Sequence, residues 1–391
     1  MPHGTAAHLR GYGTTIFAEM TALAAETGAV NLGQGFPDED GPLAIREIAA
    51  AALLAGPNQY APGRGTPELR AAVAAHAARW YGREVDPDTQ VQVTVGATEG
   101  VAAALLGLCE PGDAVVTFEP YYDSYGAGIA MAGAERRTVP LRAPGFGFDP
   151  DALRAAVRGD HAGGRVARAL VLNSPHNPTG RVFSREELEE VAAVCVEHDL
   201  VAICDEVYEH LAFDGEHVPL ATLPGMAERT LTVSSAGKTF ALTGWKVGWV
   251  TGPPGLVDAV ATAKQFLTFS GHGPLQVAVA RALALDDAFF AGIRDTLRAR
   301  RDRLCAGLEA AGLTTHVPQG GYFATVDVAS IGETDGAAFC RGLAGRCGVV
   351  GVPVSVFCDD PDVGRTLVRF AYCKREDVID EAAARLATLA G

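Results

Sequence analysis

The chain has 391 residues, of which 48% are hydrophobic and 20% charged, and a formal net charge of −15. This length can bury a large core in two domains, or in one domain with a satellite. The acidic charge argues against binding to nucleic acid or to anionic membranes. The longest apolar run, residues 101–109, is too short to span a bilayer, and no signal-type segment opens the chain. We therefore expect a cytoplasmic protein.

Helical and extended patterns alternate along the chain. Residues 17–25 have a short helical period, and residues 30–37 predict an extended segment because glycine and proline limit regular structure there. Residues 184–198 open with a Ser-x-x-Glu capping pattern made by Ser184 and Glu187. Further helices are predicted over residues 43–54, 67–80, 284–313 and 376–389.

Four apolar runs have the length of buried strands: residues 91–95, 169–172, 200–204 and 230–233. Continuous Val/Ile/Leu runs followed by helical periods predict parallel strands covered on both faces. Ligands of open α/β sheets bind beyond the carboxyl ends of such strands. Polar side chains follow each run, among them Thr98, Asn173, Asp205 and Ser235. The sequence therefore predicts an α/β protein with its ligand site at this edge.

The cysteines predict neither a disulfide framework nor a metal site. Eight are scattered along the chain, without a Cys-x-x-Cys pair or a clustered Cys/His spacing. Free thiols in a reducing compartment fit this distribution.

The segment after the fourth run carries Lys238, and Lys246 follows eight positions later. A lysine amine can bond covalently to the aldehyde of pyridoxal phosphate, and a serine hydroxyl with a second cation can hold its phosphate. The alternative is a surface loop with two solvated lysines. The polar groups at the neighbouring strand ends favour the cofactor.

With these motifs, the chain resembles the class I, fold-type I pyridoxal-phosphate aminotransferases. It is nearest to the kynurenine/glutamine transaminases and to actinobacterial enzymes assigned as N-succinyldiaminopimelate aminotransferases. The similarity covers nearly the whole chain, and five motifs fall in the family's order: residues 31–37, 173–180, 205–208, 235–249 and 369–374.

The resemblance implies a large α/β domain with a mostly parallel central sheet and a smaller α+β domain. We predict an N-terminal segment over residues 1–44 that joins the small domain. The large domain, which binds pyridoxal 5′-phosphate, is predicted over residues 45–280, and the small C-terminal domain over residues 281–391.

The resemblance also assigns the groups around the cofactor ring. Lys238 carries the cofactor and moves the proton of the substrate Cα. Asp205 pairs with the pyridine nitrogen, although an aspartate at a strand end could instead cap a helix. Tyr208 and Asn177 hydrogen-bond the ring oxygen. Tyr122 lies over the ring, unless it serves core packing alone.

Phosphate binding is expected from both sides of a dimer. Ala97 and Thr98 offer backbone amides at a helix start. Ser235 adds a hydroxyl, and Lys246 adds a point charge where many relatives carry arginine. By resemblance, Tyr60 reaches the phosphate from the neighbouring subunit, which implies a homodimer with shared active sites.

Substrate binding centres on Arg369. By resemblance, its guanidinium grips the substrate α-carboxylate as a bidentate pair, with help from Asn173 and Asn177. Phe17 and Gly35 are expected to close over the bound substrate, together with Tyr12.

The expected activity is ping-pong transfer of an amino group from an L-amino acid to a 2-oxo acid, on medium to large side chains. In the kynurenine branch an aromatic–His pair lines the side-chain pocket, whereas this chain has Gly271 and His272 there, which predicts a wider pocket. His272 either contacts the side chain or is a loop histidine without contact.

Other activities stay open at this point. An N-succinyldiaminopimelate aminotransferase of lysine biosynthesis could use Arg64 for the distal carboxylate. A cysteine-conjugate β-lyase or an oxidase-like reaction could share the same frame. The effector half of a transcription regulator is disfavoured, because no helix-turn-helix pattern precedes residue 12.

Overall fold

The computed structural model describes residues 4–13, 15–160 and 165–390. Strands and helices alternate along most of this part of the chain. The strands are β1 (Val30–Asn31), β2 (Val91–Val95), β3 (Ala114–Glu119), β4 (Glu135–Pro140), β5 (Ala169–Asn173), β6 (Val201–Asp205), β7 (Thr230–Ser235), β8 (Val247–Thr251), β9 (Thr314–His316), β10 (Phe323–Asp327), β11 (Val349–Val350), β12 (Val352–Pro353) and β13 (Leu367–Ala371).

The predicted helices are present, with small shifts at their ends. Ser184 and Glu187 form the predicted capping box. The helix predicted over residues 284–313 begins later, at Asp287, because Asp286 caps it by accepting from the Phe289 amide. The helices are α1 (Ile16–Thr27), α2 (Leu43–Ala55), α3 (Pro67–Tyr81), α4 (Gly96–Leu108), α5 (Asp123–Met131), α6 (Pro150–Arg158), α7 (Arg185–Glu197), α8 (Ala236–Thr239), α9 (Pro254–Leu267), α10 (Gly273–Leu283), α11 (Asp287–Ala310), α12 (Gly336–Cys347) and α13 (Glu376–Leu386). None of the described helices is both long and apolar enough to cross a membrane.

The large sheet has seven strands in the order β2-β8-β7-β6-β5-β3-β4. Strand β8 is antiparallel to both neighbours, and the remaining pairs are parallel. Strands β3, β5, β6 and β7 are buried along their whole length, because helices cover both faces of the sheet. The predicted mostly parallel central sheet is confirmed.

The second sheet is antiparallel, with four strands in the order β12-β13-β10-β9. Helices α11 and α13 pack against each other beside this sheet. Helix α10 packs against α2 and α3. The N-terminal segment joins the C-terminal part through β1, which pairs in parallel with β11. The domain bounds at residues 44 and 280 are compatible with these contacts and stay predictions.

Candidate active site

A cavity of about 300 Å³ lies at the carboxyl ends of the parallel strands, where α4 follows β2 and α8 follows β7. The predicted site residues line this cavity, except Tyr12, Tyr60, His272 and the alternative carboxylate-binding residue Arg64. The cavity therefore brings together Phe17, Gly35, Ala97, Thr98, Tyr122, Asn173, Asn177, Asp205, Tyr208, Ser235, Lys238, Lys246 and Arg369.

Lys238 lies in the single turn α8, held by a hydrogen bond of 2.6 Å from the Tyr322 hydroxyl to its carbonyl. Its Nζ donates to the Gly35 carbonyl at 3.2 Å and lies 5.8 Å from the ring centre of Tyr208. Burial lowers the pKa of Lys238, although Asp205 opposes this effect. A lysine whose pKa is lowered in this way can act as a nucleophile and as a base.

Asp205 ends strand β6 and is buried. Its carboxylate accepts from the Tyr125 hydroxyl at 2.6 Å and from the Val207 amide at 3.3 Å. Burial raises the pKa of Asp205, and the hydrogen bond from Tyr125 opposes the rise. A buried carboxylate with raised proton affinity suits a protonated ring nitrogen as partner.

Two tyrosine rings flank this carboxylate. Tyr208 is buried, and burial raises the pKa of its hydroxyl well above the usual range, which keeps it a hydrogen-bond donor. Tyr122 stands edge-on to Tyr125 with ring centres 5.7 Å apart, and burial raises its pKa to about 12.

The start of α4 forms a cradle for an anion. Gly96 has a φ of +74°, and a Cβ at this position would lie 3.2 Å from Lys246 Nζ. The ammonium therefore lies directly over the first turn of α4, where unpaired amides favour negative charge. Ala97 and Thr98 are in that turn, and Ser235 faces the same cavity from the end of β7.

Arg369 lies on β13 with only 1% of its surface exposed. Its Nη1 donates to Asn177 Oδ1 at 2.9 Å, and its Nη2 to the Gly33 carbonyl at 3.0 Å. Its Nε is buried without a partner, and burial lowers the pKa of the guanidinium to about 10. A carboxylate ligand would satisfy this group, since buried cations need paired anions.

The two asparagines are linked to the same network. Asn173 donates to the Asp205 carbonyl at 2.8 Å and accepts from the Asn177 amide at 2.7 Å. Asn177 thus connects Arg369 to Asn173. The network ties the carboxylate-binding group to the strand that carries Asp205.

Phe17 and Gly35 form the wall opposite the sheet. The Phe17 ring lies 5.1 Å from the Arg369 guanidinium. A Cβ on Gly35 would come within 2.3 Å of the Phe323 ring, so only glycine lets this segment approach the ring. Tyr12 lies away from the cavity, where its hydroxyl accepts from Arg136 at 2.7 Å.

Tyr60 and His272 lie together in a separate surface groove. Tyr60 is 83% exposed and meets Phe269 edge-on, with ring centres 5.2 Å apart. Arg64 is near neither cavity: it pairs with Asp258, and its Nη1 is buried without a partner. The chain's own cavity therefore does not include these three side chains.

Sequence reasoning missed several groups of the cavity. Tyr125 binds Asp205, and the Phe323 ring lies 3.8 Å from the Arg369 guanidinium. The spacing of Tyr122 and Tyr125 on a helix start was the available signal for the first. Phe323 carries no signal beyond its place in a strand. Gln34, Phe36 and Ser124 also line the cavity.

One group of potential metal ligands lies among the described residues, outside the cavity. It consists of His76, Glu209 and His210. The Nε2 atoms of the two histidines already pair with each other, and the two oxygens of Glu209 accept from Tyr81 and Ser234. The prediction that the protein uses no metal stays a prediction.

Pyridoxal phosphate fits this arrangement. The α4 cradle with Lys246 suits its phosphate, Asp205 suits its ring nitrogen and Lys238 suits its aldehyde. The unpartnered Nε of Arg369 marks the position of a further anionic group, which the α-carboxylate of an amino acid would supply.

Comparisons with known proteins agree with this chemistry. Residues 27–386 match the family model of the class I and II aminotransferases. A Mycobacterium tuberculosis protein named probable N-succinyldiaminopimelate aminotransferase DapC is 52% identical over 99% of this chain and 98% of its own length. The methionine aminotransferase of Escherichia coli is 38% identical over 96% of each chain.

Solved structures give the same result. The N-succinyldiaminopimelate aminotransferase from Mycobacterium tuberculosis superposes with a TM-score of 0.95 at 53% identity, covering 99% of this chain and 100% of that one. Both the extent and the identity of these matches exceed what a shared fold alone would give. The chain belongs to the class I and II aminotransferase family and is a pyridoxal-phosphate-dependent aminotransferase of fold type I.

Proposed function

We propose that this aminotransferase accepts L-amino acids with uncharged, medium or large side chains as amino donors. Three cations line the cavity within the described part of the chain: Lys238, Lys246 and Arg369. Lys238 is matched to the cofactor aldehyde, Lys246 to the cofactor phosphate and Arg369 to the substrate α-carboxylate. No cation of this cavity is left for a distal carboxylate. The cations are the single observation that carries the proposal.

The rest of the wall is consistent with that preference. Phe17 and Phe36 contribute apolar rings, and Gln34 contributes an amide. Large uncharged side chains gain from burial against such rings, and an amide can pair with a polar side chain. Methionine, glutamine and aromatic amino acids are the expected donors.

The residues divide the reaction between them. Bound pyridoxal phosphate supplies a ring that stabilises negative charge at the substrate Cα. We propose that Lys238 Nζ moves the proton at Cα, while Asp205 keeps a proton on the ring nitrogen. Tyr208 and Asn177 would hold the ring oxygen of the cofactor, and Tyr122 would pack over its ring.

Arg369 orients the substrate for this proton transfer. Its fork binds the α-carboxylate, while Asn177 accepts from the guanidinium and is itself held by Asn173. Phe17 and Gly35 cover the substrate and exclude water. Replacing Lys238 with alanine should abolish transamination while the cofactor still binds non-covalently, and a variant with wild-type turnover would refute the assignment.

We further propose a homodimer that completes the site. Large apolar side chains at the ends of α2 and α9 and in the loop after α2 are exposed, with Leu54 at 91%, Phe266 at 87% and Tyr60 at 83%. Exposed apolar side chains of this size are typical of surfaces that bind another protein. Tyr60 would then reach the partner's phosphate, and His272 the partner's substrate.

A mixing experiment tests the shared site. Tyr60→Ala and Lys238→Ala subunits should each have low activity alone. Each hybrid dimer should regain about half of the wild-type activity, because one of its two sites then has both groups, and a statistical mixture of dimers should regain about a quarter. A fully active monomer in sedimentation would remove the idea.

A second candidate is the transamination of an N-succinylated, carboxylate-bearing substrate in lysine biosynthesis. The 52% identical Mycobacterium tuberculosis relative is named for that activity. Arg64 has a buried Nη1 without a partner, and across a dimer interface it could meet a distal carboxylate.

Competition between substrates decides between the two. We would measure kcat/KM for methionine, phenylalanine, kynurenine, glutamate and N-succinyldiaminopimelate, with Arg70→Ala as control for Arg64→Ala. A preference for the succinylated substrate that disappears only in Arg64→Ala would overturn the uncharged-donor proposal. Release of pyruvate from a cysteine conjugate in the same assays would reveal β-lyase side activity.

We also propose a cytoplasmic location, without a nucleic-acid or membrane partner. All eight cysteines are free, and six of them are buried. This usage is typical of a reducing compartment. Fractionation of the native host with a thiol-state assay would test it.

A further inference from the structure

We infer that Lys374 and Asp38 form a clamp that positions residues 33–38, and through them the Gly35 carbonyl, against Lys238. Both are positioning residues for the proton transfer. The inference rests on the role proposed above for Lys238. We call residues 33–38 the lip loop, because they form the edge of the active-site cavity.

The lip loop contacts the reacting groups directly. Its Gly33 carbonyl accepts from Arg369 Nη2 at 3.0 Å, and its Gly35 carbonyl accepts from Lys238 Nζ at 3.2 Å. Gly35 also packs closely against the Phe323 ring, which a Cβ at this position would approach within 2.3 Å. A shift of the loop would therefore move the acceptor that orients the lysine amine.

Lys374 and Asp38 hold the loop from the other side. Lys374 is 4% exposed, and its Nζ donates to the Phe36 carbonyl at 3.0 Å and to Asp38 Oδ1 at 3.0 Å. The ammonium also lies 4.8 Å from the centre of the Phe36 ring. The Arg375 amide donates to the second oxygen of Asp38 at 3.2 Å. Four contacts therefore fasten the loop to the segment after β13.

The outer half of the lip loop, from Phe36 onwards, is only partly packed. It contains no helix or strand, and the Phe36 side chain is 47% exposed. Cavities of about 910 Å³ and 530 Å³ border the 36–40 segment on its outer sides. The loop thus has space into which it can move, and the clamp supplies the restraint that packing does not.

The lysine content of the chain points to the same residue. The chain has 28 arginines and four lysines, at positions 238, 246, 264 and 374. Two of the four line the active-site cavity, and Lys374 holds its edge. A chain that otherwise uses arginine keeps lysine where a compact point charge must fit a confined site. The Asp38 side chain is 22% exposed, and such an ion pair adds little net stability, so its specific geometry is the better reason for it.

The test compares Lys374→Met and Asp38→Asn holoenzymes with Arg375→Gln. Arg375 is the matched control, because its exposed side chain pairs with Asp377 while its backbone amide still reaches Asp38. The donor half-reaction is followed by the absorbance change of the bound cofactor, with ordinary and α-deuterated methionine. Hydrogen exchange of the lip loop is measured on apoenzyme and holoenzyme.

In Lys374→Met we expect the maximal rate of the half-reaction to fall about tenfold, the scale of one lost charge-assisted hydrogen bond. The apparent dissociation constant of methionine should change less than twofold. The α-deuterium isotope effect should rise, because proton transfer becomes slower relative to the other steps. Lip-loop amides should exchange faster in both forms, and cofactor retention should not change.

Asp38→Asn should change the same quantities in the same direction by about threefold, and the double variant should be less impaired than the product of the single losses. Arg375→Gln should match the wild type. A wild-type rate and isotope effect in Lys374→Met would overturn the inference. If Lys238→Ala remained active, the proposed function would fail instead, so the two failures are distinguishable.

Discussion

A buried histidine pair behind the active site predicts how stability depends on pH. His76 and His210 face each other with Nε2 atoms 2.7 Å apart, beside Glu209 and the Trp80 ring. Two nitrogens this close can share one proton but cannot both carry one. Burial, the largest effect, lowers the pKa of His210 to about 4, although Glu209 opposes it. The pair is therefore neutral near pH 7.

The size of the effect follows from this pKa. An unfolded histidine titrates near pH 6.5, so above that pH both states are neutral and stability does not depend on His210. Between pH 6.5 and 4 the unfolded state binds the proton and the folded state does not, so stability falls as the pH falls. At pH 5 the loss from His210 is about 2 kcal/mol.

Urea unfolding of wild type, His210→Gln and His8→Gln at pH 7.5 and pH 5 measures how much of the free energy of unfolding is lost through His210. His8 is the matched control, since it is exposed in the first helical turn of the chain. We expect His210→Gln to lose about 2 kcal/mol less than wild type between the two pH values. An unchanged pH dependence in His210→Gln would refute the reasoning.

Three substitutions in the cavity have separate expected outcomes. Asp205→Asn should lower kcat by about 10²- to 10⁴-fold with folding intact by circular dichroism; an unchanged rate would mean that Asp205 is only structural. Arg369→Lys removes one arm of the fork and should lower kcat/KM by about 10- to 100-fold across all donors, measured in steady state. Gly96→Ala combines a φ of +74° with a Cβ 3.2 Å from Lys246 Nζ, so cofactor dissociation should be faster by about tenfold in gel-filtered holoenzyme.

The sequence was sufficient for residues whose chemistry is rare at a strand end. Lys238, Asp205 and Asn173 follow apolar runs, and the parallel sheet brings such ends together by its own geometry. That these three side chains lie close together could therefore be predicted from the sequence. The predicted helix capped by Ser184 is present for a similarly local reason.

Contacts between distant segments could not be predicted in the same way. Phe323 stacks on Arg369 because β10 and β13 are adjacent antiparallel strands, a register that no local pattern encodes. Tyr125 meets Asp205 across 80 positions of sequence. Tyr60 and His272 share a groove of their own, because residues around 60 and 270 pack together away from the sheet edge.

The antiparallel direction of β8 has a consequence for how the enzyme can vary. Because β8 runs against β7, its first residues return to the edge that β7 has just left. The segment 239–245 is thus a short connection between Lys238 and Lys246, and its length sets the distance between the two side chains. An insertion in this segment would leave every strand of the sheet intact but would increase the distance between the two lysines. Tolerance to insertions should therefore be lowest in this surface-reaching turn, and high in turns at the opposite edge of the same sheet.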